Sequence, residues 1–377
     1  VTATTPAPEA LDRHADGLRV LGGGRGAVVA LVVETGPLSW QGRLRAASLL
    51  RRALEPASAE IDVRPGPSGV SAILPLAEAT PEDWDRLLGR LGSWRELVGA
   101  DPAPETPAVP RSLGELGLAL ALGDAGESPT PGEFSRRPVA VALSAGSGLL
   151  PLDLGQRLEE LIEAAGRRCE GHPPPPPSTA GPVTESGVVP VPGIRSSLVR
   201  ILAPLPGASE ASEALARSLA ALILGGTAAG PLARRLRDDH ALSYSPGSAL
   251  TRLPQGEYFA VEAPVAAGAA ERADGLIRDV LTEQSVSPPD DGVVAWALRY
   301  ARGRRLVDAD SPLTAHLGFA ARHDGSDPWG LLERHAPAVD ADLVRRQFLL
   351  LCRAVLETPA LMLVPTPEEG SRPWTSA

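Results

Sequence analysis

The chain has 377 residues, a hydrophobic fraction of 43% and a formal net charge of -10. That length allows two domains of ordinary size, and an acidic balance lacks the basic surplus of a nucleic-acid binder. Two cysteines, Cys169 and Cys352, with no CxxC pair, exclude a disulfide framework.

Aromatic residues make up only 3% of the chain, so its cores must be built from Leu, Val and Ala. There is no lysine, and all basic side chains other than histidine are arginine. With the heavy Ala, Gly and Pro content, this reads as the coding bias of a GC-rich bacterium. The segment VTATTPAPEALDRHADG has no apolar core of a signal peptide. The longest apolar runs, such as Ala27–Val33 and Leu219–Leu224, are too short to span a bilayer. These features predict a soluble cytoplasmic protein without a membrane or nucleic-acid partner.

In chain order, Val28–Val33 is a continuous apolar run suited to a central strand. The preceding Gly22–Gly26 follows a strand and fits a hairpin turn better than a phosphate cradle. Gly42–Leu54 reads as a helix with Leu44, Ala47, Leu50 and Leu54 on one face. SGVSAILPLA is a strand candidate. Thr80 followed by Pro81 predicts a capped helix to about Val98. Further helices are expected at Arg111–Leu122, Pro129–Phe134 and Asp153–Ala165, with a strand at PVAVALSAG between the last two. The five prolines Pro173–Pro177 mark an extended spacer. They divide the chain into residues 1–170, a linker 171–187 and residues 188–377.

The second half repeats this order. Ser196–Leu205 is a strand, Glu210–Leu224 an apolar helix and Leu232–Arg237 a short basic helix. Leu242–Thr251, carrying Tyr244, and Tyr258–Val265 form a hairpin across Leu253–Gly256. Helices follow at Ala269–Thr282, at Pro288 or Pro289 to Leu306, and at Pro312–His323, Trp329–His335 and Asp340–Leu356. PALMLVPT closes the series as a strand. Strands and helices mix without strict alternation. The expected fold class is therefore α+β, with two similar halves, each an antiparallel sheet covered on one face by helices.

Familiar catalytic motifs are missing from the sequence: there is no GxSxG elbow and no P-loop. None of the six histidines lies four residues from another, so no pair can grip zinc from adjacent turns of one helix. His316 and His323 are seven apart on one predicted helix, but no carboxylate completes a ligand set. Cys169 lies beside Arg167 and Arg168, where a structural role outweighs a nucleophilic one.

The stretch LGGTAAGPLARRLRDDHALSYSP, Leu224 to Pro246, is more specific. It resembles the segment LGGxxxSRLxxxLRExxGLAYS of the inverzincin, or pitrilysin-like, zinc metallopeptidases, which include insulin-degrading enzyme and the mitochondrial processing peptidase. The matching residues are Leu224, Gly225, Gly226, Leu232, Leu236, Arg237, Leu242, Tyr244 and Ser245; Asp238 replaces the usual Glu and Ala241 the usual Gly. The resemblance implies that Arg237 and Tyr244 contact substrate peptide near the scissile bond. An arginine fork suits a carbonyl or carboxylate, and a phenol can donate to a developing oxyanion. Gly225 and Gly226 would let backbone approach the peptide.

The family's H-x-x-E-H motif falls, in the best register, on Ala47, Leu50 and Arg51, and no histidine lies between His14 and His172. The resemblance therefore implies a non-catalytic subunit, inactive alone, forming half of a peptidase chamber with a homologous zinc-bearing subunit. No metal or other cofactor is expected in this chain, and zinc is expected in the partner. Maturation of peptides, including leader removal, is the implied pathway. A structural or assembly protein, or a self-associating peptide binder, is the alternative.

Overall fold

The computed structural model describes residues 18–22, 27–34, 40–54, 61–65, 69–76, 80, 82–87, 89–90, 93, 139–145, 187–253, 256–310 and 332–366. The first sheet comprises β1 (Leu18–Gly22), β2 (Ala27–Glu34), β3 (Asp62–Pro65), β4 (Gly69–Leu76) and β5 (Val139–Ala145), in the order β1-β5-β2-β4-β3. The second comprises β6 (Gly187–Val191), β7 (Ser196–Leu205), β8 (Gly247–Leu253), β9 (Gly256–Ala266) and β10 (Leu361–Pro365), in the order β6-β10-β7-β9-β8. Exchanging each strand for its counterpart converts one order into the other.

The strand directions match as well. In each sheet the last strand inserts between the first two, runs parallel to the first and antiparallel to the second. The expectation of two similar halves agrees with this duplicated topology, while each sheet is mixed at one edge instead of wholly antiparallel. The insertion also overturns the hairpin reading of Gly22–Gly26: β5 lies between β1 and β2, so the two strands do not pair.

In the first half, helix α1 (Trp40–Leu54) packs on β3 and β4. Its predicted inner face, Leu44, Ala47, Leu50 and Leu54, is buried, and so are Ala46, Leu49 and Ala53. Residues 82–87 are helical, as the Thr80 cap predicts. The Thr80 hydroxyl accepts from the Asp83 amide at 3.2 Å, and Asp83 accepts from the Thr80 amide at 3.1 Å. This reciprocal pair is a capping box with aspartate in place of glutamate. The helices expected at Arg111–Leu122, Pro129–Phe134, Asp153–Ala165 and Pro312–His323, the proline run and Cys169 lie outside the described residues.

The second half is built around α2 (Ala211–Gly225), buried without interruption from Ala214 to Gly225. A helix apolar on every side must sit inside a core. Val199, Ile201 and Ala203 of β7 and Phe259, Val261 and Ala263 of β9 join it in one cluster. Helices α3 (Ala270–Val286), α4 (Asp291–Asp310) and α5 (Ala341–Glu357) contribute to the same core. On α5 the buried Val344, Phe348, Leu351, Cys352 and Val355 follow helical spacing, and the Asp340 carboxylate caps the first turn by accepting from the Leu343 amide at 2.6 Å. Burial pushes the Cys352 thiol up to about 12, which keeps it protonated and inert. Helix α4 starts at Asp291, beyond both prolines proposed for its first turn. Asp290 is the reason, since its side chain accepts from the Val293 amide at 2.8 Å.

A charged cluster crosses this core. Arg217 on α2 is fully buried and donates to Gln347 on α5 at 3.0 Å, to the Pro206 carbonyl at 2.8 Å and to Glu257 on β9. Glu213 accepts from Arg217 at 3.4 Å, from Gln347 at 3.1 Å and from both the amide and hydroxyl of Ser209 at 2.8 Å. One guanidinium thus ties α2 to α5 and to the start of β9.

Candidate functional site

The chain leaves α2 through tightly packed glycines. A β-carbon on Gly225 would lie 2.8 Å from Leu232 Cδ1 and 3.0 Å from Ser248 Oγ, and one on Gly226 would lie 2.7 Å from Leu222 Cα. Gly226 is therefore required by backbone within the chain, and Gly225 packs tightly against Leu232 and Ser248. Both also line the cleft described below. Ser248 of β8 donates to the Ala221 carbonyl at 2.9 Å, fixing the strand against the helix end.

After Gly230 the backbone makes a helical turn, Pro231–Ala233, and continues as a π-helix over Arg234–Asp239. The wider π turn shifts successive side chains out of α-helical phase, and such insertions recur at functional sites. Here they separate neighbouring residues into distinct tasks. Leu236 is fully buried. Arg235 clamps both oxygens of Glu283 on α3 at 2.5 Å. Arg237 faces the cleft.

The segment then closes on itself. Ala241 adopts a left-handed conformation at φ 48°, which lets the Leu242 and Ser243 amides both donate to the Leu236 carbonyl, at 2.8 and 3.2 Å. The Ser243 hydroxyl donates to the Pro264 carbonyl at 2.6 Å. Alanine resists this conformation by roughly 1–2 kcal/mol. Replacing Ala241 with glycine should therefore raise stability by about 1 kcal/mol, measurable as a higher urea midpoint with an unchanged slope.

Tyr244 follows at once and is 90% exposed. It stands in the loop before β8, three residues short of the strand on which the sequence reading placed it. The left-handed Ala241 and the following Pro246 keep this stretch out of the ladder.

Arg237, Tyr244, Gly225 and Gly226 all line one cleft of about 780 Å³. Its floor is the sheet face presented by β8 and β9, including Ala249, Ala260 and Glu262. Because β8 is the last strand of its sheet, the cleft opens along a sheet edge. The Arg237 guanidinium is held in place: Nε donates to Asp238 at 2.8 Å, and another nitrogen donates to the Ala228 carbonyl at 2.9 Å and to Asp238 at 3.2 Å. The Asp238 carboxylate raises the Arg237 pKa, with a smaller contribution from Tyr244, and is itself held low by the same pairing. With one edge of the fork spent on Asp238, Arg237 suits a single carbonyl better than a bidentate carboxylate.

One side chain of this cleft, and the partner behind it, escaped the sequence reading. Glu262 on β9 pairs at 2.8 Å with Arg200 on β7, which is almost wholly buried. Burial lowers the Arg200 pKa, and Glu262 opposes that shift. An acid in the middle of the apolar run EYFAVEAPV was the available signal, since a charge there demands a partner.

In the first half, the positions aligned with H-x-x-E-H hold buried Ala47, fully buried Leu50 and Arg51, which donates to the Ile61 carbonyl at 3.3 Å. Two apolar side chains and a cation do not fit a zinc ion. Among the described residues no group of His, Cys, Asp and Glu is placed to hold a metal, and no helix is long and apolar enough to cross a membrane.

Residues 154–285 match the family described as the peptidase M16 inactive domain. Over those residues the chain is similar to the M16 inactive domain. The match includes every residue from Leu224 to Pro246, the stretch that builds the cleft. Solved structures extend the likeness in fold over nearly the whole chain. A peptidase M16 inactive domain from Pseudomonas fluorescens is 17% identical with a TM-score of 0.57, covering 93% of this chain and 96% of its own. A protease from Helicobacter pylori is 14% identical at a TM-score of 0.60, over 93% and 97%. A chain of complex III2 from Candida albicans is 14% identical at 0.56, over 92% of each. No curated protein matches the chain in sequence. The matched model is that of an inactive domain, and the sequence of this chain carries no H-x-x-E-H.

Proposed function

We propose that this M16-like chain is the non-catalytic subunit of a two-chain zinc endopeptidase, holding peptide for cleavage by a homologous partner that carries the zinc. The observation that carries this reading is the convergence of Arg237 and Tyr244 on one cleft beside an open sheet edge. A cleft of about 780 Å³ has the capacity of a small-ligand or short-peptide site. A sheet edge offers main-chain hydrogen bonds to an extended segment. Arg237, braced by Asp238, donates to a peptide carbonyl, and the exposed Tyr244 donates to the carbonyl oxygen as negative charge develops. The partner's zinc supplies the electrophile. The substrates are peptides undergoing maturation in the cytoplasm, leader removal among them.

Reconstitution tests the reading. Purified alone, the chain should hold no stoichiometric zinc and hydrolyse nothing. Mixed with an H-x-x-E-H homologue from the same genome, it should elute as a complex and cleave peptide. Zinc bound by the isolated chain together with hydrolysis would overturn the proposal. The fold likeness to a complex III2 chain favours a second reading, that of an assembly subunit. A stable complex with no hydrolysis under any condition would select it.

A further inference from the structure

Arg237 and Glu262 are the residues of the cleft lining that belong to the arginine, aspartate and glutamate classes. Each is held from behind by an opposite charge outside that lining: Asp238 braces Arg237, and Arg200 braces Glu262. The Arg200 side chain is 6% exposed and that of Glu262 36% exposed, so the carboxylate is the member of the pair that faces the cleft. Arg200 bonds Oε1, and among the described residues Oε2 has no partner.

The strand register shows what stands around that carboxylate. Glu262 lies between Arg200 on β7 and Gly247 on β8. Directly paired residues of an antiparallel ladder project their side chains side by side, with β-carbons about 4.5–5.5 Å apart. Gly247 contributes none. Its own surroundings do not require glycine: a β-carbon there would meet only the Gly225 carbonyl oxygen, at an ordinary 3.8 Å, and its φ is not left-handed. Glycine weakens a strand, and its presence in one often marks close approach of a ligand. The neighbouring cleft residues Ala249 and Ala260 are small as well. The outcome is a carboxylate with a free oxygen at the bottom of a space open to the sheet edge.

We propose that Glu262 and the space left by Gly247 form a subsite for a basic side chain, arginine or lysine, of a peptide lying in the cleft. The proposal rests on the reading of this cleft as a peptide groove and names its substrate class. A guanidinium or ammonium reaching Glu262 makes a charge-assisted bond to Oε2, while Arg237 in the same lining disfavours a second cation.

Fluorescence anisotropy with the full chain tests it. The probe is a labelled Ala/Ser peptide carrying one arginine at successive positions, with citrulline as the neutral isostere. At one position arginine should bind about tenfold more tightly than citrulline. Glu262→Gln and Gly247→Val should each reduce that ratio to below about twofold. Gly247→Val keeps the Arg200–Glu262 pair, so it decides the matter if Glu262→Gln misfolds. Equal binding of the two peptides, binding of neither, or a preference that survives Gly247→Val would overturn the subsite. Hydrolysis restored by a partner alongside equal binding sinks the subsite and leaves the peptidase reading standing. An arginine preference without hydrolysis does the reverse.

Discussion

Replacing Arg217 with methionine should cost about 3–5 kcal/mol of folding stability, the usual penalty for removing one member of a buried ion pair. The side chain is fully buried, and two carboxylates, Glu213 and Glu257, lose their common cation with it. Gln347 would also lose its donor. The cost comes from the two acids that lose this cation and not from lost packing, because methionine fills much of the same volume. Adding Glu213→Gln and Glu257→Gln to Arg217→Met should therefore recover most of the loss. Urea unfolding of the single and triple variants measures both effects. A triple variant no more stable than the single one would show that the network contributes through shape alone.

The same network gives the chain a dependence on acid. Hydrogen bonds from the Ser209 amide and hydroxyl, then from Gln347, with the charge of Arg217, hold the Glu213 carboxyl below the ordinary glutamate range. A depressed folded-state pKa means the unfolded chain takes up the proton first. The associated stability is thus complete above the unfolded value of about 4.3 and fades as pH falls through the lower folded value. Glu213→Gln should flatten the urea midpoint across that window.

The regular elements were legible where periodicity and caps agree. The β-branched run of β2, the capped start at Thr80 and the stripe of α5 each show in a single stretch of sequence, and each stands as expected. What was not legible is non-local. Nothing between Leu18 and Glu34 announces that β5, more than a hundred residues on, will separate β1 from β2. The short β3 and β6 lack the length to stand out. At the cleft, the pattern around Leu224–Pro246 located Arg237 and Tyr244, yet the loop position of Tyr244 depends on one left-handed alanine. Arg200 and Glu262 sit in different strands, 62 positions apart, and only the ladder makes them neighbours.

Within the proposed two-chain enzyme, Tyr244→Phe should lower turnover by about 10²–10³, the range for a lost oxyanion donor. The substitution removes one oxygen from a side chain that is 90% exposed, so neither folding nor assembly should change. A donor that acts only as charge develops reduces kcat and kcat/KM together. Arg237→Met should behave differently, since losing a guanidinium that holds a ground-state carbonyl raises KM as well. Asp238→Asn separates positioning from contact. It leaves Arg237 charged and in place but weakens the pair at 2.8 Å that fixes its direction, so its effect should be smaller than that of Arg237→Met and lie along the same axis, in KM. Steady-state kinetics on the reconstituted complex, with gel filtration to show that each variant still assembles, reads all three. If Tyr244→Phe and Arg237→Met both turn over substrate at the original rate, the cleft does not touch the scissile bond, whatever else it holds.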